Sequence, residues 1–146
     1  EKIASKETLK EITIWEINSA FDLVQIAQKV LKAELLWHEK NYVQSITLFK
    51  EAIAIEDALN YNEPPDWFFS VRHHLGAVLI DAGKYNEAIK VYEEDLKTFP
   101  KNGWAQHGLK LAYEKLGNKQ KATEMEQLIA KSWATADVKI ATSKIK

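Results

Sequence analysis

The sequence predicts an all-α protein built as an α-α superhelix of about three helical hairpins, and two observations carry this prediction. First, four residues recur at one offset of 34 residues: Leu75 as Leu109, Leu79 as Tyr113, Gly83 as Gly117 and Ala88 as Ala122. Second, each copy holds two apolar runs at helical spacing, separated by a glycine. A fixed period of this size is the signature of stacked helical units.

The clearest unit spans residues 69–102. Its apolar and small positions are Leu75, Gly76, Leu79, Tyr85, Ala88, Ile89, Tyr92 and Leu96. Gly83 lies between the two runs and is predicted to end the first helix in a left-handed conformation. Ala88 allows close approach of the two helices, and Pro100 closes the second.

Two further units are predicted, over residues 103–134 and over residues 19–60, the latter with a long second helix. The spacing of Tyr42 to Tyr85 is 43, which indicates nine inserted residues. The proline-rich loop 61–68 holds this insertion, because Pro64 and Pro65 cannot continue a helix. The first helix is expected to begin at Asn18 or Ser19, with Ser19 and Asp22 resembling a capping box, and to run to about Glu39.

The two ends of the chain lack a clean period. Residues 1–18 are interpreted as a linker or the stub of a preceding repeat, with a frayed helix as the other reading. Residues 135–146 are a tail for which two forms stay open, a short extended segment through Val138 and Ile140 or a disordered one. Six helices, turns near Lys40, Gly83 and Gly117, and no sheet outside the tail are therefore predicted. The start at Glu1 suggests a processed chain or a fragment of a longer one.

The composition excludes several classes of site. The chain has no cysteine, so disulfides and thiolate chemistry are excluded. With 20 Lys and Arg against 21 Asp and Glu, the net charge gives no general attraction to nucleic acid or to an acidic membrane. No apolar run approaches the length of a membrane span, about 20 residues. Neither nucleic acid nor membrane is expected as a partner, and the sequence leaves the cellular location undetermined.

The 34-residue pattern resembles the tetratricopeptide repeat family over residues 20 to 134, most closely over residues 69–102. The chain departs from that family at Lys32, Lys110 and Lys119. Terminal repeats are commonly atypical, so these departures indicate capping units. Residues 56–67 also resemble a segment of large uncharacterised bacterial repeat proteins, which suggests that the chain is the carboxyl-terminal part of such a protein.

The resemblance implies a concave groove lined by the first helix of each hairpin. Its predicted groove residues are Ala27, Val30, Glu34, His38, Ser70, His73, Ala77, Asp81, Trp104, His107 and Leu111. Trp104 has two open interpretations, an aromatic anchor for a bound peptide or a core residue between hairpins. Trp67 is expected to be core.

His73 and His107 occupy the same place in successive repeats and are weak candidates for a metal site, since zinc normally takes at least three protein ligands. No spacing assembles a nucleophile, a base and an orienting group, so neither catalysis nor a cofactor is expected. The main hypothesis is a module that binds a peptide or protein segment in the groove. The alternative is a structural or oligomerisation segment of a longer superhelix, in which the partner is the rest of its own chain or a second copy. A metal site at the histidine pair is the distant alternative.

Overall fold

A computed structural model describes residues 6–138 and 140–144 of the chain. The chain divides into two compact units, residues 1–71 and residues 72–146. Six α-helices occur in the described residues, which confirms the all-α prediction. None of these helices combines the length and apolar character required to cross a membrane.

The first unit contains a helical hairpin made of α1 (Ala20–His38) and α2 (Tyr42–Glu56). Ser19 precedes α1, and its hydroxyl accepts a hydrogen bond from the Phe21 amide, which confirms the predicted helix start. Lys40 lies in the predicted turn and has a φ of 60°, in the left-handed region where many helices end. The buried apolar side chains of this hairpin are Ile26, Ala33, Ile46, Phe49 and Ala52.

The segment before α1 contains no α-helix in the residues that the structure describes, 6–19. A single 3-10 turn (Glu7–Lys10) precedes two short antiparallel strands, β1 (Thr13–Ile14) and β2 (Asn18–Ser19). The chain reverses between them because Trp15 and Glu16 both adopt positive φ, at 52° and 61°. The prediction of no sheet outside the tail is therefore wrong, since β1 and β2 form a short two-stranded sheet.

The inserted loop is held to this hairpin through Asn18, which is 4% exposed. The side-chain NH2 group of Asn18 donates to the Asn60 backbone carbonyl at 2.9 Å and to the Asp66 carboxylate at 2.7 Å. Its side-chain oxygen accepts a hydrogen bond from the Asn60 backbone N–H. These hydrogen bonds around one buried asparagine hold the loop, which contains no helix.

The second unit contains α3 from Arg72 onward (Val71–Asp81), α4 (Tyr85–Thr98), α5 (Gly103–Lys115) and α6 (Lys119–Ser132). Gly83 and Gly117 join the paired helices with φ of 73° and 74°, which confirms the predicted glycine turns. Asn102 and Asn118 cap α5 and α6 through side-chain oxygens. The core draws on all four helices, with Leu79, Ala88, Tyr92, Leu109, Ala112 and Ala122 among its buried residues.

The tail beyond α6 is the segment for which an extended and a disordered form stay open from the sequence. No strand occurs in its described residues, 135–138 and 140–144. Residues 140–144, here called the return segment, instead fold back onto the second unit. Ser143 is 1% exposed because it is enclosed by this contact.

Candidate binding face of the second unit

The candidate site is the surface of α3 and α5 that meets the return segment, and Tyr92 of α4 is central to it. A Cβ atom placed on Gly76 of α3 would lie 2.2 Å from Tyr92 Cζ, and one on Gly108 of α5 would lie at the same distance. The Tyr92 ring therefore lies between the backbones of α3 and α5, at positions that have no room for a side chain. Its hydroxyl is directed to the return segment.

Ser143 links Tyr92 to α3 through two hydrogen bonds of its hydroxyl group. The Tyr92 hydroxyl lies 2.5 Å from Ser143 Oγ, and Ser143 Oγ donates to the His73 carbonyl at 3.2 Å. The serine accepts one hydrogen bond and donates another, so the Tyr92 hydroxyl is the donor of the pair. Burial raises the pKa of Tyr92 well above its usual range, and the phenol stays protonated and able to donate.

His107 of α5 forms the second contact to the return segment, through a hydrogen bond to the backbone of Ala141. Partial burial lowers the pKa of His107, and this effect outweighs the opposing influence of the Ala141 bond. The ring is therefore neutral near pH 7. Its Nε2 atom is buried without a hydrogen-bond partner in the described structure.

The His73 ring has other partners than the His107 ring. It is 2% exposed, and its Nε2 lies 3.0 Å from Asp95 Oδ2 and 3.2 Å from Asn102 Nδ2. Asn102 is held in place because its oxygen caps α5 at the amides of Trp104 and Ala105. The described residues contain no cluster of three or more potential metal ligands. The geometry gives no support to a metal site at this histidine pair.

Trp104 is half-buried and pairs edge-to-face with Trp133, their ring centroids 5.7 Å apart. Trp133 follows α6 and lies so close to Gly103 that a Cβ there would overlap its indole nitrogen at 1.5 Å. This arrangement gives Trp104 a packing role within the second unit. It leaves part of the ring accessible.

The other predicted groove residues vary in exposure. In the first unit, Ala27 and His38 are exposed, Val30 and Glu34 are half-buried, and Ser70 is buried. In the second unit, Ala77 and Leu111 are half-buried and Asp81 is exposed. Trp67, which was expected to be core, is half-buried with its indole nitrogen enclosed.

Sequence reasoning missed Tyr92, Asp95, Asn102 and Ser143 as parts of this site. Two signals were present. Gly76 and Gly108 stand within helices, where glycine has no local advantage and so indicates close approach of another group. Asp95 interrupts the apolar stripe of α4, which indicates a buried polar partner.

Two helical hairpins, each with a glycine turn between its helices and related by an offset of 34 residues, are typical of the tetratricopeptide repeat class. The family model of a tetratricopeptide repeat matches residues 69–102, so this part of the chain is similar to one such repeat. Among solved structures it is similar to MamA 41-end from Desulfovibrio magneticus RS-1, with a TM-score of 0.58 and 20% sequence identity. That similarity covers 73% of this chain and 55% of the MamA chain, so it spans about half of that relative. No curated protein was found that is similar in sequence.

Proposed function

We propose that the chain is a protein interaction module that binds an extended peptide or protein segment on the α3 and α5 face, and that it has no catalytic activity. Tetratricopeptide repeats mediate protein interactions, which supports the general class. We assign repeats to residues 19–60, 69–102 and 103–134, the loop to 61–68, and the flanking segments to 1–18 and 135–146. The proposed contact residues on this face are His73, Ala77, Asp81, Trp104, His107 and Leu111. On the first unit, Ala27, Val30, Glu34, His38 and Ser70 remain candidates.

One observation carries this proposal: a non-helical segment, Ala141 to Ser143, already lies on the face. The backbone of Ala141 contacts His107, and the side chain of Ser143 contacts both the Tyr92 hydroxyl and the His73 carbonyl. Backbone contacts tolerate many sequences, whereas an enclosed side-chain contact selects among them. Such a face suits recognition of a short segment.

Site-directed photocrosslinking tests the proposal. A photoreactive residue at Leu111, half-buried on α5, should capture a partner protein from the native extract, and one at Lys90, exposed on α4, serves as the matched control. The captured protein, once purified, should bind the parent chain and lose at least about tenfold in affinity with Leu111→Arg, equivalent to roughly 1.4 kcal/mol. Equal capture at both positions, or unchanged affinity, would contradict binding at this face.

A second candidate function, an oligomerisation or stacking segment, is favoured by the first unit. Leu31 and Leu35 of α1 are 64% and 57% exposed, and residues four apart share one helical face. Ile12 and Trp15 are also exposed, at 51% and 78%. Exposed apolar side chains of this kind mark contact surfaces when they are contiguous.

Sedimentation equilibrium of the chain tests this second function. The parent should show a concentration-dependent dimer that Leu31→Glu with Leu35→Glu abolishes, whereas Lys32→Glu, an exposed position beside them, should leave it intact. A monomeric parent at high concentration would contradict self-association.

A further inference from the structure

We infer that the Tyr92 hydroxyl and the His73 carbonyl form a subsite that recognises a serine-type hydroxyl in an extended segment, and that Ser143 of this chain is its resident occupant. The inference rests on the proposed function, since it identifies what the α3 and α5 face selects. It also implies that a partner must displace the return segment.

The chemistry of the subsite follows from its two groups. Tyr92 presents a donor and the His73 carbonyl presents an acceptor, at 2.5 Å and 3.2 Å from one oxygen atom. A hydroxyl satisfies both groups because it accepts and donates at the same atom. Alanine satisfies neither, and a carboxylate can accept from Tyr92 but would face the carbonyl oxygen with a negative charge.

Burial makes this selection effective. Tyr92 and Ser143 are 0% and 1% exposed, so water does not replace a missing hydrogen bond while the segment is seated. A site that is built to hydrogen-bond a hydroxyl discriminates strongly against an analogue without one, because its polar groups are then left unpaired. The subsite therefore recognises the side chain at one position of the bound segment, in addition to its backbone.

Only Ser143 of the return segment places its side chain in the subsite, and its neighbours make other contacts. Ala141 contacts His107 through its backbone, and Ser143, two residues further on, enters the subsite. The Thr142 hydroxyl instead bonds the main chain of Lys144, donating to its carbonyl at 2.6 Å. Thr142 therefore offers a matched control, a second hydroxyl in the same segment that does not enter the subsite.

Fluorescence anisotropy with a labelled peptide of residues 137–144 tests the inference on two full chains, the parent and Ser143→Ala. In the parent, the resident serine competes for the subsite. The peptide should therefore bind Ser143→Ala at least about tenfold more tightly than it binds the parent. A peptide with alanine in place of its serine should bind Ser143→Ala at least about tenfold more weakly than the unchanged peptide. A peptide with alanine in place of its threonine should bind within about twofold of the unchanged one.

Tyr92→Phe distinguishes recognition by the Tyr92 hydroxyl from a purely structural role of the ring. Phenylalanine keeps the ring between Gly76 and Gly108 and removes only the donor. In a Tyr92→Phe, Ser143→Ala chain, the preference for the serine peptide over the alanine peptide should fall severalfold. Preserved preference, equal binding of the two peptides to Ser143→Ala, or no difference between that chain and the parent would each overturn the inference. Partner capture at Leu111 decides the proposed function separately, since capture with no serine preference leaves that function standing and removes only the subsite.

Discussion

The Tyr92 hydroxyl bonds Ser143 Oγ across 51 residues of sequence, passing between α3 and α5 to reach it. This contact joins the core of a helical repeat to a segment that lies beyond the last helix. Because the tyrosine also fills the space between Gly76 and Gly108, one side chain serves packing and recognition together. Substitutions that change the ring and the hydroxyl independently separate these two roles.

Gly108→Ala should destabilise the fold by about 1–3 kcal/mol, since the new methyl group would overlap the Tyr92 ring. The measurement is urea unfolding followed by circular dichroism. In a Tyr92→Leu background, where the ring is absent, the same glycine substitution should cost much less. Equal costs in the two backgrounds would show that the glycine is required for another reason.

Gly83→Val should lower stability by roughly 1 kcal/mol or more, because a β-branched residue tolerates a φ of 73° poorly. The surroundings add no steric cost, since no atom lies within 4 Å of the Cβ position. Gly83→Asn is the matched control and should be better tolerated, as asparagine adopts the left-handed region more readily. Thermal melting of the two variants checks the order, and equal melting temperatures would contradict it.

Asp95→Ala should cost about 1–3 kcal/mol, because it removes the buried carboxylate that pairs with the His73 ring. The matched variant is His73→Ala, and the double substitution gives a double-mutant cycle. Denaturant unfolding should show a smaller loss for the double variant than for the sum of the singles. Simple additivity would mean that the two side chains do not act as a pair.

Stability should fall as the pH drops below about 6.5, the ordinary pKa of histidine, through the lowered pKa of His107. Below the pKa of histidine in the unfolded chain, the unfolded state binds a proton more readily than the folded state, so acid favours unfolding. Above that pKa both states are neutral at His107, and the stability that this residue contributes is fully present. His107→Gln, which cannot titrate, should show a smaller loss of melting temperature between pH 7.5 and pH 5. Parallel curves for the two chains would assign the acid sensitivity to other groups.

Trp104→Ala should destabilise the second unit by less than the roughly 3–5 kcal/mol of a fully buried tryptophan, since the ring is half-buried against Trp133. Partner affinity, measured with the captured protein, distinguishes the two roles of the residue. A stability loss with unchanged affinity would assign Trp104 to packing alone. A drop in affinity of about 2 kcal/mol or more at modest stability cost would assign it to the binding face.

Local chemistry in the sequence determined the helices and their turns. Gly83 and Gly117 are required where the backbone becomes left-handed, Ser19 caps α1, and the 34-residue offset repeats the apolar stripe that each helix must bury. These features depend on residues close together in the chain, so a single sequence reveals them.

Tertiary structure alone decided the partners of Asn18, Tyr92, His73 and Ser143. Each of these side chains is buried, and each hydrogen-bonds a group at least 22 residues away. Neither periodicity nor capping specifies such a pairing, because many polar residues could satisfy each partner and only the folded backbone brings one of them within reach. For the same reason the sequence did not predict the β1–β2 hairpin or the position of the return segment. Both depend on contacts with distant residues and not on local propensity.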